Sequence, residues 1–325
     1  MAVIIRRAKA QDRKEVLRVC KTTWGGWDYV PRYFAQWVRE KGFYVAVEGK
    51  RVVGLAKYTE LGPSEFWLEG LRVDPELRHQ GLGWRISRFI RREVLRERPI
   101  SLRLATGRRN RHSRRIIRRM GLRLKLALWG YGGRIPKIQN PKSKIQNRPP
   151  DVFVPDPQAA FNYIRTTEEY RAARHLLQHT WQFRTITPGL LAELARQQRI
   201  FGYGRNDNLR GLLIVQPGRY ENGRLDLSFI EGDRKALGEF RRQIRVVARR
   251  EKAQSIAGMA RGESMLRHLR GLRMRRWRRP GRLPPVLVYE YPLQGEVLSP
   301  KSKGQIKEST KRNPRAKVNP KNSEH

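Results

Sequence analysis

The segment LEGLRVDPELRHQGLGW, residues 68–84, joins an apolar strand to a helix and carries two glycines one residue apart at the junction. Glycine lowers helix stability, so a pair at a helix start indicates that the backbone comes close to another group there. Without side chains at Gly81 and Gly83, backbone N–H groups can point to one position at the positively polarised helix end, which suits a pyrophosphate. A tight strand-to-helix turn without a ligand is the alternative.

Two better-known phosphate-binding patterns do not fit this segment. The dinucleotide-binding pattern needs G-x-G-x-x-G, and the Walker pattern ends in Gly-Lys-Ser or Gly-Lys-Thr. Here Gly83 is followed by Trp84 and Arg85. The two glycines alone are therefore weak evidence for a phosphate site, and the elements around them must be considered.

Hydrophobic periodicity places the segment in a series of strands and helices over residues 3–131. The predicted order is strand, helix, helix, three strands, helix, strand, helix, strand. Pro99 ends the helix that begins at Gly81, and Gly121 ends the last helix. The order predicts a mixed sheet with helices packed against it.

Residues 151–295 repeat this order in outline, although few residues are identical. Between the two halves, residues 134–150 are polar and repeat KIQN at a spacing of seven, and residues 296–325 form a basic tail. We expect both to be disordered. The predicted elements of the second half are a strand and helix in 161–180, a helix in 188–198, strands in 209–217 and 224–232, a helix in 236–254, a strand in 255–262, a helix in 263–273 and a last strand in 285–293.

The first half resembles the GNAT family of acetyl-CoA-dependent N-acetyltransferases. R-x-x-G-x-G, formed by Arg78, Gly81 and Gly83, is the signature of that family, and NRHSRRIIRRMGL from Asn110 matches its asparagine–helix–glycine pattern. The resemblance covers residues 3 to 130. It implies an α+β fold with two GNAT-like domains, each a mixed, mostly antiparallel twisted sheet flanked by helices.

The resemblance also implies domain boundaries. An acetyl-CoA-binding domain would span residues 1–133, and a second, degenerate GNAT-like domain would span residues 151–295. The second has no R-x-x-G-x-G, because Gly232 and Gly238 are too far apart. We interpret it as a structural or acceptor-shaping partner.

Roles in cofactor binding follow residue by residue from the resemblance. The strand ending at Val73 would bond the pantetheine arm, the loop from Arg78 to Gly83 would wrap the pyrophosphate, and Asn110 would lie near the thiol. Arg78, Arg85 and Arg88 either contact phosphates or form a solvated face in an arginine-rich chain. The implied acetyl-CoA contacts are Leu71, Val73, Arg78, Gln80, Gly81, Leu82, Gly83, Trp84 and Asn110.

Glu69 occupies the position at which many relatives place a catalytic base. Acetyl transfer needs an amine with a free lone pair, so a carboxylate, or a water that it positions, can take the proton. An edge-exposed glutamate without a catalytic role is the alternative. Many relatives also have a tyrosine that protonates the leaving thiolate, whereas this chain has Ile117. Water, or another residue, would then supply that proton, or the domain would be slow or inactive.

Composition limits other functions. Lys and Arg outnumber Asp and Glu 71 to 29, for a formal net charge of +42. The charge is spread over both halves, which favours a general arginine bias of the source proteome, and weak nonspecific binding of nucleic acid or another polyanion is the alternative. Cys20, the only cysteine, is expected to be a buried thiol, and His175 and His179 to be ordinary helix residues without a metal. No apolar run reaches the roughly 18 residues of a membrane helix, and we expect a cytoplasmic protein.

Two functions from different classes follow. The first is an N-acetyltransferase that uses acetyl-CoA and an amine acceptor, and the second is an RNA- or ribosome-associated binding protein on an acetyltransferase-like scaffold. Trp277 among arginines suits base stacking or, as we favour, a surface turn over a core. Five aromatic residues could line an acceptor pocket or pack the core, namely Trp24, Trp27, Tyr29, Tyr33 and Phe34.

Overall fold

The computed structural model describes residues 2–26, 28–135, 150–277 and 285–293. Of residues 134–150, which were predicted to be disordered, Arg134 instead ends a β-strand, and 136–149 lie outside the described residues. The tail predicted to be disordered, Trp27 and the side chain of Trp24 also lie outside them. We call residues 2–135 the first half and residues 150–277 the second half. All described residues belong to one compact unit, Met1–Leu293.

The first half has the element order that its sequence predicts. Its helices are α1 (Arg13–Cys20), α2 (Val30–Arg39), α3 (Leu82–Arg96) and α4 (Arg111–Arg119). Its strands are β1 (Ile4–Arg7), β2 (Phe43–Glu48), β3 (Arg51–Gly62), β4 (Glu65–Val73), β5 (Ser101–Gly107) and β6 (Arg123–Arg134).

The second half begins differently from its prediction. Asp156 caps a helix where a strand was predicted, with its carboxylate accepting the N–H groups of Gln158 and Ala159. Its helices are α5 (Pro157–Ile164), α6 (Glu168–Ala172), α7 (Pro188–Arg196), α8 (Arg234–Arg250) and α9 (Glu263–Gly271). Its strands are β7 (Leu176–His179), β8 (Gln182–Thr185), β9 (Ile200–Arg205), β10 (Asn208–Pro217), β11 (Arg224–Gly232), β12 (Ser255–Ala260) and β13 (Arg275–Arg276), and β14 (Val286–Glu290) follows.

The interpretation of two histidines as helix residues is wrong. His179 lies in strand β7, and His175 has a φ of 63°, which no helix residue adopts. The strand and the turn before it were predicted as helix because their apolar residues also fit a helical period.

Twelve strands form one mixed sheet in the order β1-β2-β3-β4-β5-β14-β6-β12-β11-β10-β9, with β13 pairing β6. Two pairs are parallel, β4 with β5 and β11 with β12, and the other pairings of this sheet are antiparallel. The mixed, mostly antiparallel sheet flanked by helices is confirmed. Strands β7 and β8 form a separate two-stranded sheet.

The two halves exchange strands at the centre of the sheet. Strand β14 inserts between β5 and the first part of β6, so the last strand completes the sheet of the first half. The second part of β6, from Trp129 to Arg134, lies between β12 and β13. The last strand was predicted to complete the second half. Its partners lie 158 to 187 residues away, and local periodicity carries no information about such distant pairing.

Helices cover both faces of the first half because successive strand residues point to opposite sides. On one face, Val16 of α1 and Trp37 of α2 pack with Val45. On the other, Ile86 and Ile90 of α3 pack with neighbours that include Ala46. No helix among the described residues has both the length and the apolar character needed to cross a bilayer.

Candidate active site

Strands β4 and β5 separate part-way along their length. They pair only from Glu65–Trp67 to Ser101–Arg103, although β4 continues to Val73 and β5 to Gly107. Strand β4 pairs β3 on its other side, and β5 pairs β14. The two facing edges beyond Trp67 therefore keep backbone N–H and C=O groups that no strand takes in the described part of the chain. We call this gap the first opening.

A β-bulge at Gly70 redirects β4 beside the first opening. The register with β3 shifts between Leu55 and Lys57, and Gly70 has a φ of 71°, which favours glycine. A Cβ at this position would lie 2.9 Å from the Trp37 ring, so the site also has no room for a side chain. Glu69 precedes the bulge and Leu71 follows it.

The loop after β4 leads directly to the N-terminus of α3. Asp74 stabilises its start, because its carboxylate accepts the N–H of Glu76 at 3.2 Å and pairs with Arg18 and Arg51 at 2.7 and 2.9 Å. The loop ends at Gly81, the N-cap position of α3, and no side chain among the described residues caps the helix. The N–H groups of its first turn thus stay available to an anion.

The two glycines of this loop are needed for different reasons. Gly81 has a φ of 79° and open space where a side chain would be, so its conformation requires glycine. Gly83 lies under α4, since a Cβ there would be 3.2 Å from Ile116 and 3.5 Å from Val73. Gly81 shapes the anion-binding turn, and Gly83 lets two helices approach.

The other residues assigned to acetyl-CoA surround this turn. Arg78 and Gln80 are exposed, and Leu82 is buried, so only its backbone faces the loop. The Trp84 ring is half-buried, with the Arg119 guanidinium 4.5 Å from its centroid.

Asn110 lies at the start of α4, where its Oδ1 accepts the N–H of Ser113 at 3.0 Å. Its side-chain oxygen therefore caps a helix. His79 and His112 are 4.9 Å apart between ring centroids, which brings the loop beside the N-terminus of α4. Asn110 is thus near the turn, although the implied contact with the thiol end remains untested.

Arg85 and Arg88 lie apart from Arg78. Together with Arg91, Arg92 and Arg96 they line a surface cavity of about 600 Å³ along α3. Arg85 donates to the carbonyl of Val3 at 3.2 Å. Only Arg78 is on the loop itself, which separates it from the exposed arginine face of α3.

Glu69 is half-buried and accepts three side-chain hydrogen bonds. Oε1 accepts from Thr59 Oγ1 at 2.5 Å and from Gln182 Nε2 at 3.3 Å, and Oε2 accepts from the hydroxyl of Tyr220. The surroundings of its carboxylate are polar. A carboxylate with this set of donors is held in one orientation.

Two of these donors come from the second half, and sequence reasoning missed both. Gln182 and Tyr220 are 113 and 151 residues from Glu69, and neither belongs to a motif. Tyr29 and Tyr33 lie beside Tyr220, with ring centroids 4.5 and 5.3 Å from it. Of the five aromatic residues considered for an acceptor pocket, Tyr29 and Tyr33 therefore lie close to Glu69. Phe34 is buried in the core.

Several other predicted residues have structural roles. Ile117 is buried in a core cluster with Leu104 and Tyr289. Cys20 is buried, and burial raises its thiol pKa to about 12, so it is not a nucleophile. Trp277 stacks on Trp181 with 6.1 Å between ring centroids and packs against a core cluster, as predicted. The two residues before it form strand β13 and not the predicted turn. The described residues include no group of three His, Cys, Asp or Glu side chains that could hold a metal.

The second half has a comparable opening that the chain itself fills. Strands β11 and β12 pair only from Arg224–Leu227 to Ser255–Gly258. Beyond that point, Gln178 Oε1 accepts the N–H of Met259 at 3.4 Å, and the Glu169 carboxylate accepts those of Arg261 and Gly262 at 3.2 and 2.5 Å. We call this gap the second opening.

The helix that follows β11 also differs from α3. Strand β11 ends at Gly232 and α8 starts at Arg234, with no intervening loop. Asp233 caps α8, since its carboxylate accepts the N–H of Ala236 at 2.9 Å and pairs with Arg210. A carboxylate already occupies the position that an anion would need.

The separated strands, glycine loop and uncapped helix all lie in the first half. Residues 14–122 match the model of the acetyltransferase (GNAT) family. The match contains the R-x-x-G-x-G loop, Glu69 and the whole of α4. It shows that this half is similar to GNAT acetyltransferases.

The similarity in fold to solved structures extends beyond that match. A GCN5-related N-acetyltransferase from Sphaerobacter thermophilus has a TM-score of 0.55 at 13% identity, over 89% of this chain and 95% of that one. A candidate acetyltransferase from Thermoplasma acidophilum has a TM-score of 0.53 at 17% identity, over 89% of this chain and 100% of that one. Both similarities include most of the second half. No curated protein sequence matches this chain.

Proposed function

We propose that this chain is an N-acetyltransferase that passes the acetyl group of acetyl-CoA directly to a primary amine in a ternary complex. The uncapped N-terminus of α3, placed directly after the first opening, is the observation that carries the proposal. The opening offers the backbone groups of an extended strand, and the helix end offers N–H groups with a partial positive charge. A phosphate-bearing chain molecule such as acetyl-CoA needs both.

Residues 1–133 would form the acetyl-CoA domain, and residues 151–295 a second GNAT-like domain that has lost its phosphate loop. The proposed contacts are the backbone of β4 from Leu71 to Val73 for the pantetheine arm, and the loop from Arg78 to Trp84 for the pyrophosphate. The filled second opening and the Asp233 cap support a single cofactor site per chain.

The reaction needs one proton acceptor and one departing thiolate. The amine nitrogen forms a bond to the acetyl carbon, and the C–S bond breaks with its electron pair going to sulfur. The proton lost by nitrogen goes to the Glu69 carboxylate, directly or through a water. Because Ile117 has no acidic group, the proton for the thiolate comes from water or from another residue. Holding both reactants in one site provides much of the acceleration.

Two substitutions at one position test the phosphate site. Gly81→Asp places a carboxylate at the N-terminus of α3, as Asp233 does at α8, whereas Gly81→Asn has nearly the same shape without the charge. Asp and Asn both tolerate positive φ, so the pair differs mainly in charge. We expect coenzyme A to bind the Asp variant about tenfold or more weakly than the Asn variant, measured by calorimetry.

Gly238→Asp is the matched control for the change in net charge. Gly238 lies in α8 with open space around it, away from the first opening. This variant should bind coenzyme A like the unmodified protein. No binding by the unmodified protein, or equal affinities of the two Gly81 variants, would contradict the proposal.

A further inference from the structure

The hydrogen bonds to Glu69 join the two halves of the chain at the candidate catalytic residue. One donor, Thr59, lies on the neighbouring strand β3, and the other two, Gln182 and Tyr220, belong to the second half. Gln182 Nε2 and the Tyr220 hydroxyl are themselves 3.3 Å apart. Each carboxylate oxygen thus has at least one donor from the second half.

Contacts from both halves hold Tyr220 in place. Its ring packs between Tyr29 and Tyr33, at 4.5 and 5.3 Å between centroids. The Tyr33 hydroxyl donates to the carbonyl of Arg219, and the Arg219 N–H donates to Thr180 Oγ1 at 3.0 Å. The turn between β10 and β11 is therefore anchored on α2 of the first half and on Thr180 of the second.

We infer that Tyr220 and Gln182 are positioning residues for Glu69, so that the second half completes the acceptor side of the site in the first half. This inference rests on the proposed function. A base must present a lone pair in a fixed direction toward the incoming amine, and the donors to its oxygens fix the plane of its carboxylate. The rings of Tyr29, Tyr33 and Tyr220 form an aromatic surface beside Glu69.

The phenol of Tyr220 is suited to this task over a wide pH range. Burial, together with the negative charge of Glu69, raises its pKa well above the ordinary value for tyrosine. The hydroxyl therefore stays protonated and keeps donating to Glu69 at neutral and mildly alkaline pH. Its role is to hold the base, and the base itself contacts the amine.

Tyr220→Phe tests the hydroxyl while it keeps the ring between Tyr29 and Tyr33. The assay follows release of coenzyme A thiol from acetyl-CoA with water and with a panel of primary amines (an alkyl diamine, a polyamine and lysine-containing peptides). We expect kcat to fall about tenfold with the Kd for coenzyme A unchanged, because one hydrogen bond to a charged group is lost. Tyr203→Phe, in β9, is the matched control and should keep the full rate.

A double-variant cycle distinguishes positioning from a structural role. Glu69→Gln alone should lower kcat by a hundredfold or more, on the order of the contribution of a general base. If Tyr220 acts only through Glu69, then Tyr220→Phe should have no further effect when combined with Glu69→Gln. A structural role would lower kcat by the same factor in both backgrounds.

Each outcome bears on one proposal. Failure of the unmodified protein to bind coenzyme A would overturn the proposed function. With binding intact, the inference is overturned by a full rate in Tyr220→Phe, by equal effects in both backgrounds, or by loss of coenzyme A binding in Tyr220→Phe. If the unmodified protein releases no thiol from acetyl-CoA, either with water or with any of the amines, the inference is also overturned.

Discussion

The starts of α3 and α8 differ although each helix follows the strand before an opening in the sheet. Helix α3 has Gly81 before its first turn and no side-chain cap, whereas the carboxylate of Asp233 caps α8. Within the part of the chain that the structure describes, no strand lies between the edges of the first opening, whereas Glu169 and Gln178 accept backbone N–H groups of the second. The shared fold provides two positions for a cofactor, and a few side chains decide which stays available.

Glu169, which fills the second opening, should have the largest effect, namely a pH dependence of the free energy of unfolding. Burial raises its pKa to about 8, despite the two N–H donors, and the carboxylates of Glu231 and Glu168 act in the same direction. The folded protein then holds a proton that the unfolded chain releases above about pH 4.5. Stability should fall as pH rises from about 5 to 8, by up to about 1.4 kcal/mol per pH unit, and level off above pH 8.

Urea unfolding at pH 6 and at pH 8 measures this fall. In Glu169→Gln, the amide resembles the protonated acid, so this share of the fall should disappear. Glu168→Gln is the control, because two backbone N–H groups lower the pKa of that neighbouring carboxyl and keep it ionised across this range. If the free energy of unfolding has the same pH dependence in Glu169→Gln and in the unmodified protein, then Glu169 holds no buried proton in the second opening.

Local features of the first half could be read from its sequence. The strand-to-helix junction and the element order depend on neighbouring residues, and these predictions are confirmed. Glu69 was placed on the correct strand, yet its partners Gln182 and Tyr220 could not be found. They reach it only because the second half folds against the first, and no local pattern marks such a contact.

Two further features of the chain depended on contacts between residues distant in sequence. Strand β14 has the alternation of an ordinary last strand, and nothing in it indicates that β5 and β6 are its partners. The contacts that fill the second opening could not be predicted either, because nothing in the sequence distinguishes Glu169 and Gln178 from other polar residues. The absence of an R-x-x-G-x-G loop from the second half, by contrast, is visible directly in its sequence.

The cap of α8 gives a smaller expected effect. Asp233→Ala removes the acceptor for the Ala236 N–H and the ion pair with Arg210. We expect a loss of about 1 kcal/mol in the free energy of unfolding, measured with urea at pH 7. Affinity for coenzyme A should stay the same, because α8 is not the cofactor helix. A change in that affinity would place a second phosphate site at α8.

Calorimetric titration of the full chain with coenzyme A counts the available openings directly. One molecule should bind per chain, and the affinity should fall as salt increases, because the contact involves phosphate charges. Binding of two molecules would mean that the second half keeps a working site despite Asp233 and Glu169. Binding of none would contradict the claim that the uncapped end of α3 holds a pyrophosphate.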